Sequence, residues 1–251
     1  MDFYSIAAAP LSATGSTPAL HAADRFLSVP VSIAFWVVTA IVIAVAVRRT
    51  NRTLDERSIP LMGVMAAFIF AAQMFNFQVA GGTSGHLLGG VLAAVLLGPW
   101  AATLVMACVV AVQALVFSDG GLVVMGANIF NMGVIGTLGG FAVYLALAKV
   151  LGGENRGRIP AAAIAGWLSV MAAALAMSLE LIVSGTSPAE IVLPAMLGVH
   201  AFVGIGEALI TGAALAFIAT TRPDLLNLRP DRAAAAAATS AAAPASATVP
   251  A

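Results

Sequence analysis

The sequence predicts an all-α protein, a polytopic membrane helix bundle of about seven transmembrane helices with its amino terminus outside and its carboxyl terminus cytoplasmic. Three observations lead there. Of 251 residues, 61% are hydrophobic and 9% charged, with a mean hydropathy of +1.03, against roughly 25% charged in ordinary soluble domains. The charges cluster between long apolar stretches, as they must when carrying a bare charge through hydrocarbon is costly. The basic clusters fall in alternate loops, which is the pattern that sets membrane orientation.

Taken in order, the apolar segments lie near residues 31–47, 61–77, 87–97, 100–117, 122–148, 160–184 and 191–219. Most approach the ~20 residues that a helix needs to cross a bilayer. The third is too short to span alone unless it begins in the glycine-rich run before it, and Gly98-Pro99 breaks it from the fourth. Arg48, Arg49, Arg52 and Arg57 follow the first segment, Lys149, Arg156 and Arg158 the fifth, and Arg222, Arg229 and Arg232 the seventh, so these loops are expected in the cytoplasm. Only Arg25 falls on the other side.

Residues 1–28 are then an extracytoplasmic amino-terminal segment, 29–220 the transmembrane domain, and 221–251 a cytoplasmic tail. The tail is rich in Ala, Ser, Pro and Thr and cannot bury a core, so it is expected to be disordered. Residues 1–19 lack the basic start and continuous apolar run of a secretory signal.

Several function classes fall away. Eleven basic and eleven acidic side chains leave no net charge to draw in nucleic acid. A single cysteine, Cys108, forms no intramolecular disulfide and no cysteine-rich zinc site. The Gly-x-x-x-x-Gly-Lys-Ser/Thr phosphate loop is missing from the sequence, so ATP hydrolysis is expected to reside on other subunits.

The unusual polarity gathers toward the outer face: the stretch from Leu20 to Leu27, Asn76, Gln78, the run from Gly81 to His86, and Asp119-Gly120-Gly121. Within the segments stand Asn128 and Asn131, Glu180, His200 and Glu207. His200, Gly204 and Glu207 share one helix face by their spacing, and intramembrane ionisable groups ordinarily face a cavity or one another. Gly85 with Gly89, and Gly136 with Gly140, have the small-xxx-small spacing of helix-packing seams. Taken one at a time, His21 reads as a solvated loop residue, His86 as a hydrogen-bonded helix start, His200 as a group ordering the bundle, and the two asparagines as interhelical hydrogen bonds. Imidazole ligands suit nickel, cobalt, copper and zinc. The residues alone support an outward-facing polar pocket and do not name its substrate.

Longer motifs go further. Ile59-Pro60-Leu61-Met62-Gly63-Val64-Met65-Ala66-Ala67-Phe68, the stretch Phe70 to Phe77, and Val79-Ala80-Gly81-Gly82-Thr83-Ser84-Gly85-His86-Leu87-Leu88-Gly89-Gly90 resemble the CbiM/NikM family. So, in the same order, do Leu96-Leu97-Gly98-Pro99-Trp100, Gln113-Ala114-Leu115, Asp119-Gly120-Gly121, Gly126 to Gly133, and Gly204 to Thr211. That family comprises the substrate-capture membrane subunits of energy-coupling-factor importers for cobalt and nickel. The resemblance covers about residues 20–219.

It implies transport of Co2+ or Ni2+ as substrate, in some settings supplying cobalamin biosynthesis, with no enzymatic site and no intrinsic cofactor. It also implies partners: a coupling transmembrane subunit, two cytoplasmic ATPase subunits and a small accessory membrane protein. In the family the chain begins Met-His. Its free amine, a deprotonated backbone nitrogen and that imidazole form a planar nitrogen chelate, completed by the His of the Gly-Gly-Thr-Ser-Gly-His run. His86 stands in that run and His21 matches the second-position histidine, so these two are the implied metal ligands, with Asn76, Ser84, Asn128, Asn131, His200 and Glu207 supporting the pocket. The sequence departs from the family by placing Leu20 at the initiator position, nineteen residues before it, and Ala23 and Arg25 where proline and glycine are usual. A chelate using a terminal amine requires a mature chain that starts at residue 20 by translation or is trimmed before Leu20 or His21; otherwise metal is bound differently, with Asn76, Asp24 or Asn128 contributing, or the substrate has changed.

Two other readings compete. One is a capture subunit for another small solute. The other is a rhomboid-like intramembrane serine protease, with Ser84 in Gly82-Thr83-Ser84-Gly85 as nucleophile and His200 as base. The rhomboid histidine normally precedes glycine by three positions, whereas here the glycine is Gly204.

Overall fold

A computed structural model of the chain describes residues 21–53, 58–74, 76–78 and 84–227. The expectations for residues 1–19 and for the tail beyond 227 lie outside the described residues. The elements are helices α1 (Val29–Thr53) and α2 (Ser58–Gln73), strands β1 (Asn76–Gln78) and β2 (Ser84–His86), and helices α3 (Gly90–Leu97), α4 (Pro99–Val116), α5 (Met125–Val150), α6 (Arg158–Val183) and α7 (Ala189–Thr221). A π-helical stretch, Phe130–Gly139, lies inside α5. After the last helix, Pro223–Asn227 forms a 3-10 turn, and Leu226 is buried with the bundle core.

Among the described residues five helices, α1 and α4 to α7, are long and apolar enough to cross a membrane, while α2 has 16 residues. The third apolar segment is not a full span. Helix α3 has 8 residues, about 12 Å at 1.5 Å per residue, against a hydrocarbon layer of about 30 Å. Its limits are set by backbone chemistry. Gly89 at φ +73° precedes it and Gly98 at φ +84° follows it, both in the left-handed region that glycine tolerates without Cβ strain. Pro99 then opens α4 as its first residue, where its missing N–H costs no helical hydrogen bond. Gly85 and Gly89 are therefore not a helical seam as expected from their spacing: Gly85 is in β2 and Gly89 in the turn.

Helix α3 is the centre of the core. Every residue from Gly90 to Leu96 is buried, and α2, α4, α5, α6 and α7 all pack around it. Gly136 and Gly140 do form the expected seam, since a Cβ on Gly140 would lie 2.6 Å from Val91 and one on Gly136 3.2 Å from Leu88. Helices α6 and α7 run antiparallel. Gly212 meets Ala163, Gly166 meets Glu207 and Gly204 meets Trp167, each glycine admitting a neighbour that a side chain would exclude. Helix α1 is peripheral, burying only Ser32, Thr39, Ala46 and Thr50. Its Thr39 hydroxyl donates to the Gly126 carbonyl at 2.7 Å, while Val29, Ile33, Val37 and Ile41 face outward.

The segments carrying the unusual polarity meet at one end of the bundle. Gly121 N–H donates to the Ala22 carbonyl at 2.9 Å, and the Thr186 hydroxyl to the Phe26 carbonyl at 2.6 Å. The basic ends of α1, α5, α6 and α7 lie at the other end, as the antiparallel order of the helices requires.

Candidate metal centre

The amino-terminal segment, residues 21–28, reaches this end as a strap that turns at Asp24 and Arg25 and is tied down by several hydrogen bonds. The Ala22 carbonyl accepts from Gly121 N–H and, at 3.1 Å, from the Asn128 side chain. Asp24 Oδ1 accepts Val123 N–H at 2.8 Å, next to the start of α5, where a carboxylate suits the helix end. That bond commits Asp24 to the strap, where the sequence left it open as a ligand. Leu27 is buried against Val124, Leu181 and Val192.

The Asp119-Gly120-Gly121 motif is what receives the strap. Asp119 Oδ1 accepts His21 N–H at 3.2 Å and lies 3.3 Å from His21 Nδ1. A Cβ on Gly120 would fall 2.9 Å from His21 Cβ, and one on Gly121 would collide with Asp24. Only a carboxylate followed by two residues without side chains lets the strap lie this close. His21 is therefore not a solvated loop residue: it is 7% exposed, its Nδ1 faces Asp119, and its Nε2 is buried without a hydrogen bond. Buried polar atoms ordinarily have partners, so an orphaned Nε2 on an imidazole whose Nδ1 faces a carboxylate marks a place for a ligand.

His86 comes to the same place from the hairpin. It ends β2, which pairs antiparallel with β1 in a register setting His86 opposite Asn76, and Ser84 opposite Gln78. It is thus not a helix start, being separated from α3 by Leu87, Leu88 and Gly89. The side chains of Asn76 and Ser84 lie outside the described residues. His86 Nδ1 donates to the Leu87 carbonyl at 2.9 Å, which leaves Nε2 as the lone-pair nitrogen. The His21 and His86 ring centroids are 4.5 Å apart.

Both rings open on one cavity of about 80 Å3, lined also by Asn128, Asn131 and His200. The remaining residues singled out from the sequence divide. Asn131 donates to Glu180 Oε2 on α6 at 3.1 Å, the interhelical bridge expected of it, whereas Asn128 bonds the non-helical strap, as above, rather than another helix. His200 Nδ1 donates to the Met196 carbonyl one turn earlier at 2.7 Å. Glu207 is away from the cavity. It accepts from Leu88 N–H at 2.9 Å and Gly89 N–H at 2.8 Å. Among the described residues, no three His, Cys, Asp or Glu side chains converge to hold an ion.

Sequence reasoning placed Asp119 at the outer face but gave it no role, and it missed Gln73 and Gln113. Both glutamines are fully buried and bonded to each other, Gln113 Nε2 to Gln73 Oε1 at 3.0 Å. Lone amides in otherwise apolar spans are the signal that would have found them.

Comparison with known proteins agrees with this arrangement. A profile of the CbiM family, described as the cobalt uptake substrate-specific transmembrane region, matches residues 21–225. A protein of Haloquadratum walsbyi assigned to metal transport is 40% identical over 221 residues, covering 84% of this chain and 99% of that one. The cobalt transport protein CbiM of Sorangium cellulosum is 34% identical, covering 77% and 89%. The crystal structure of a truncated transition metal transporter superposes with a TM-score of 0.74 at 32% identity, covering 80% of this chain and 98% of that one. The chain belongs to the CbiM family and is a multi-pass cell-membrane protein, a membrane component of CbiM/NikM-type cobalt and nickel transport.

Proposed function

We propose that this chain captures Co2+ or Ni2+ at the extracytoplasmic end of the bundle, with the His21 and His86 imidazoles as two of the ligands. The observation that carries this is their meeting: two distant stretches of chain set their rings 4.5 Å apart at one small cavity, with the buried His21 Nε2 left without a hydrogen bond. Neutral imidazole is the donor that late divalent metals favour. Asp119 stands behind His21 as carboxylates commonly stand behind ligating histidines. A cavity of about 80 Å3 is far below the roughly 300 Å3 of pockets for organic ligands, which supports an ion over a vitamin-sized solute.

Two imidazoles leave the coordination incomplete. Main-chain nitrogens beside His21 are the remaining donors in the chelate that the family resemblance implies, and they require a mature terminus at Leu20 or His21. Mass spectrometry of the amino-terminal peptide decides this point, since an intact Met1 terminus eliminates the chelate. Nothing in this reading assigns chemistry to the chain. ATP hydrolysis belongs to two cytoplasmic subunits, linked through a coupling transmembrane subunit and assisted by a small accessory membrane protein. The exposed Ala40 and Ala44 on α1 offer a close-packing surface to the coupling subunit. The strap end faces outward, because the Arg and Lys clusters lie at the opposite end.

Calorimetry on the detergent-solubilised chain tests the capture step. CoCl2 and NiCl2 are expected to bind at micromolar concentration or below, and His86→Ala to abolish the binding. Unchanged binding by His86→Ala overturns the assignment.

A further inference from the structure

The Leu88 peptide is gripped from both sides. Its N–H donates to Glu207 Oε2 at 2.9 Å, the next N–H, of Gly89, to Oε1 at 2.8 Å, and its carbonyl accepts from Gln73 Nε2 at 3.0 Å. Glu207 is 2% exposed and Gln73 0%. A carboxylate inside a membrane bundle is costly and persists where something uses it. Here the use is visible. The hairpin brings irregular backbone into the bundle: Gly85 abuts Val203 and His200, and His200 is about 16 Å along α7 from its start at 1.5 Å per residue. Backbone N–H groups at such depth must be satisfied by protein, and the two amides entering α3 have only Glu207 to accept them among the bonds described.

The grip continues to the second histidine. Gln73 Oε1 accepts from Gln113 Nε2 at 3.0 Å, the Gln113 carbonyl accepts Asp119 N–H at 2.9 Å, and Asp119 Oδ1 accepts His21 N–H at 3.2 Å. An unbroken hydrogen-bonded path thus runs from Glu207 on α7, through the Leu88 peptide, Gln73 on α2 and Gln113 on α4, to the strap. His86 is two residues from one end of it and His21 is the other end.

We propose that Glu207 and Gln73 are positioning residues for the metal site, clamping the Leu88 peptide so that His86 is held in register with His21. The clamp touches neither imidazole and acts through the chain between Leu88 and His86. This inference rests on the metal-capture reading.

The test uses the full chain in detergent with Co2+ alone as probe, reading affinity by calorimetry and coordination geometry from the visible d–d absorption of bound Co2+. Glu207→Gln keeps the shape but turns an amide N–H2 toward one of two donors, and Gln73→Met removes the bond to Leu88 at similar volume. Each is expected to weaken Co2+ binding at least ~10-fold, as loss of groups supporting metal ligands typically does, and to shift the absorption bands. Ser178→Ala, a buried serine bonded only to its own helix at the Ala174 carbonyl, is expected to change neither. Melting temperature is recorded for all three. Wild-type affinity and spectrum in folded Glu207→Gln and Gln73→Met overturn the inference, as does weaker binding with an unshifted spectrum in proportion to lost folded protein. Should Glu207→Gln not fold, Gln73→Met decides. Absence of Co2+ binding by the unaltered chain overturns the capture reading and this inference with it, whereas binding unaffected in the variants overturns the inference alone.

Discussion

Replacing Asp119 should expose how much of the metal affinity comes from holding His21 in place. Asp119 Oδ1 contacts His21 twice, at the backbone N–H (3.2 Å) and at Nδ1 (3.3 Å), in a setting where His21 is 7% exposed. A hydrogen bond to a charged acceptor is worth about 1.5–3 kcal/mol net. In Asp119→Ala that contribution is lost, and binding must order the start of the strap against its own freedom. A cost of about 2 kcal/mol follows, or roughly 30-fold in Kd at 1.4 kcal/mol per decade. Asp119→Asn keeps a neutral acceptor for the N–H, so about half the energy survives and the loss is about 5-fold. The assay is calorimetric titration with CoCl2 of protein that elutes as a single folded species, with the melting temperature measured in parallel. An Asp119→Ala protein that is folded and binds Co2+ with unaltered affinity refutes the role given to this carboxylate, and with it the idea that the strap's seating limits capture.

Two further outcomes follow from the strap. Gly121→Ala puts a methyl group into the main chain and carboxylate of Asp24, so the strap must lift; Co2+ affinity should fall at least ~10-fold, comparable to losing a supporting residue, and full affinity in the folded variant would contradict the seating described. Arg25 has φ +81°, where a residue with a Cβ pays about 1–2 kcal/mol, offset in a Gly variant by about 0.5–1 kcal/mol of extra chain freedom in the unfolded state. Arg25→Gly is therefore expected to stabilise by up to ~1 kcal/mol, raising the melting temperature by about 2–4 °C in a chain of this size, and a lower melting temperature would show that the arginine contributes more than its strain costs. It is notable that glycine is what the family resemblance implies at this position.

Much of this architecture was legible in the sequence because hydrocarbon is an unforgiving solvent. It forces charges out of spans, so apolar length and the placement of Arg48, Arg49, Lys149 and Arg158 outline the helices directly. The short third segment shows where that rule stops. The stretch from Leu87 to Leu97 is apolar enough to belong to a membrane, yet Gly89 and Gly98 restrict its helix to Gly90–Leu97, and its hydrophobicity reflects burial at the centre of the bundle rather than a crossing. Hydropathy registers only that a segment avoids water, and it cannot tell lipid from protein as the alternative. Glu207 was misplaced for a related reason: its spacing from His200 put both on one face, but a helix face can look onto a cavity or onto another segment's backbone.

The sequence by itself determined that the chain is a membrane bundle, which segments are helical, and which two histidines belong to matching motifs, since composition and local order are enough for each. Only the tertiary structure decided that these histidines meet, that Asp119-Gly120-Gly121 is the seat for the strap, and that Gln73, Gln113 and Glu207 tie the two stretches together. Those facts depend on hydrogen bonds between residues far apart in the chain, whose partners are selected by helix packing and by the need to satisfy every buried peptide group, and no local pattern of side chains encodes that choice.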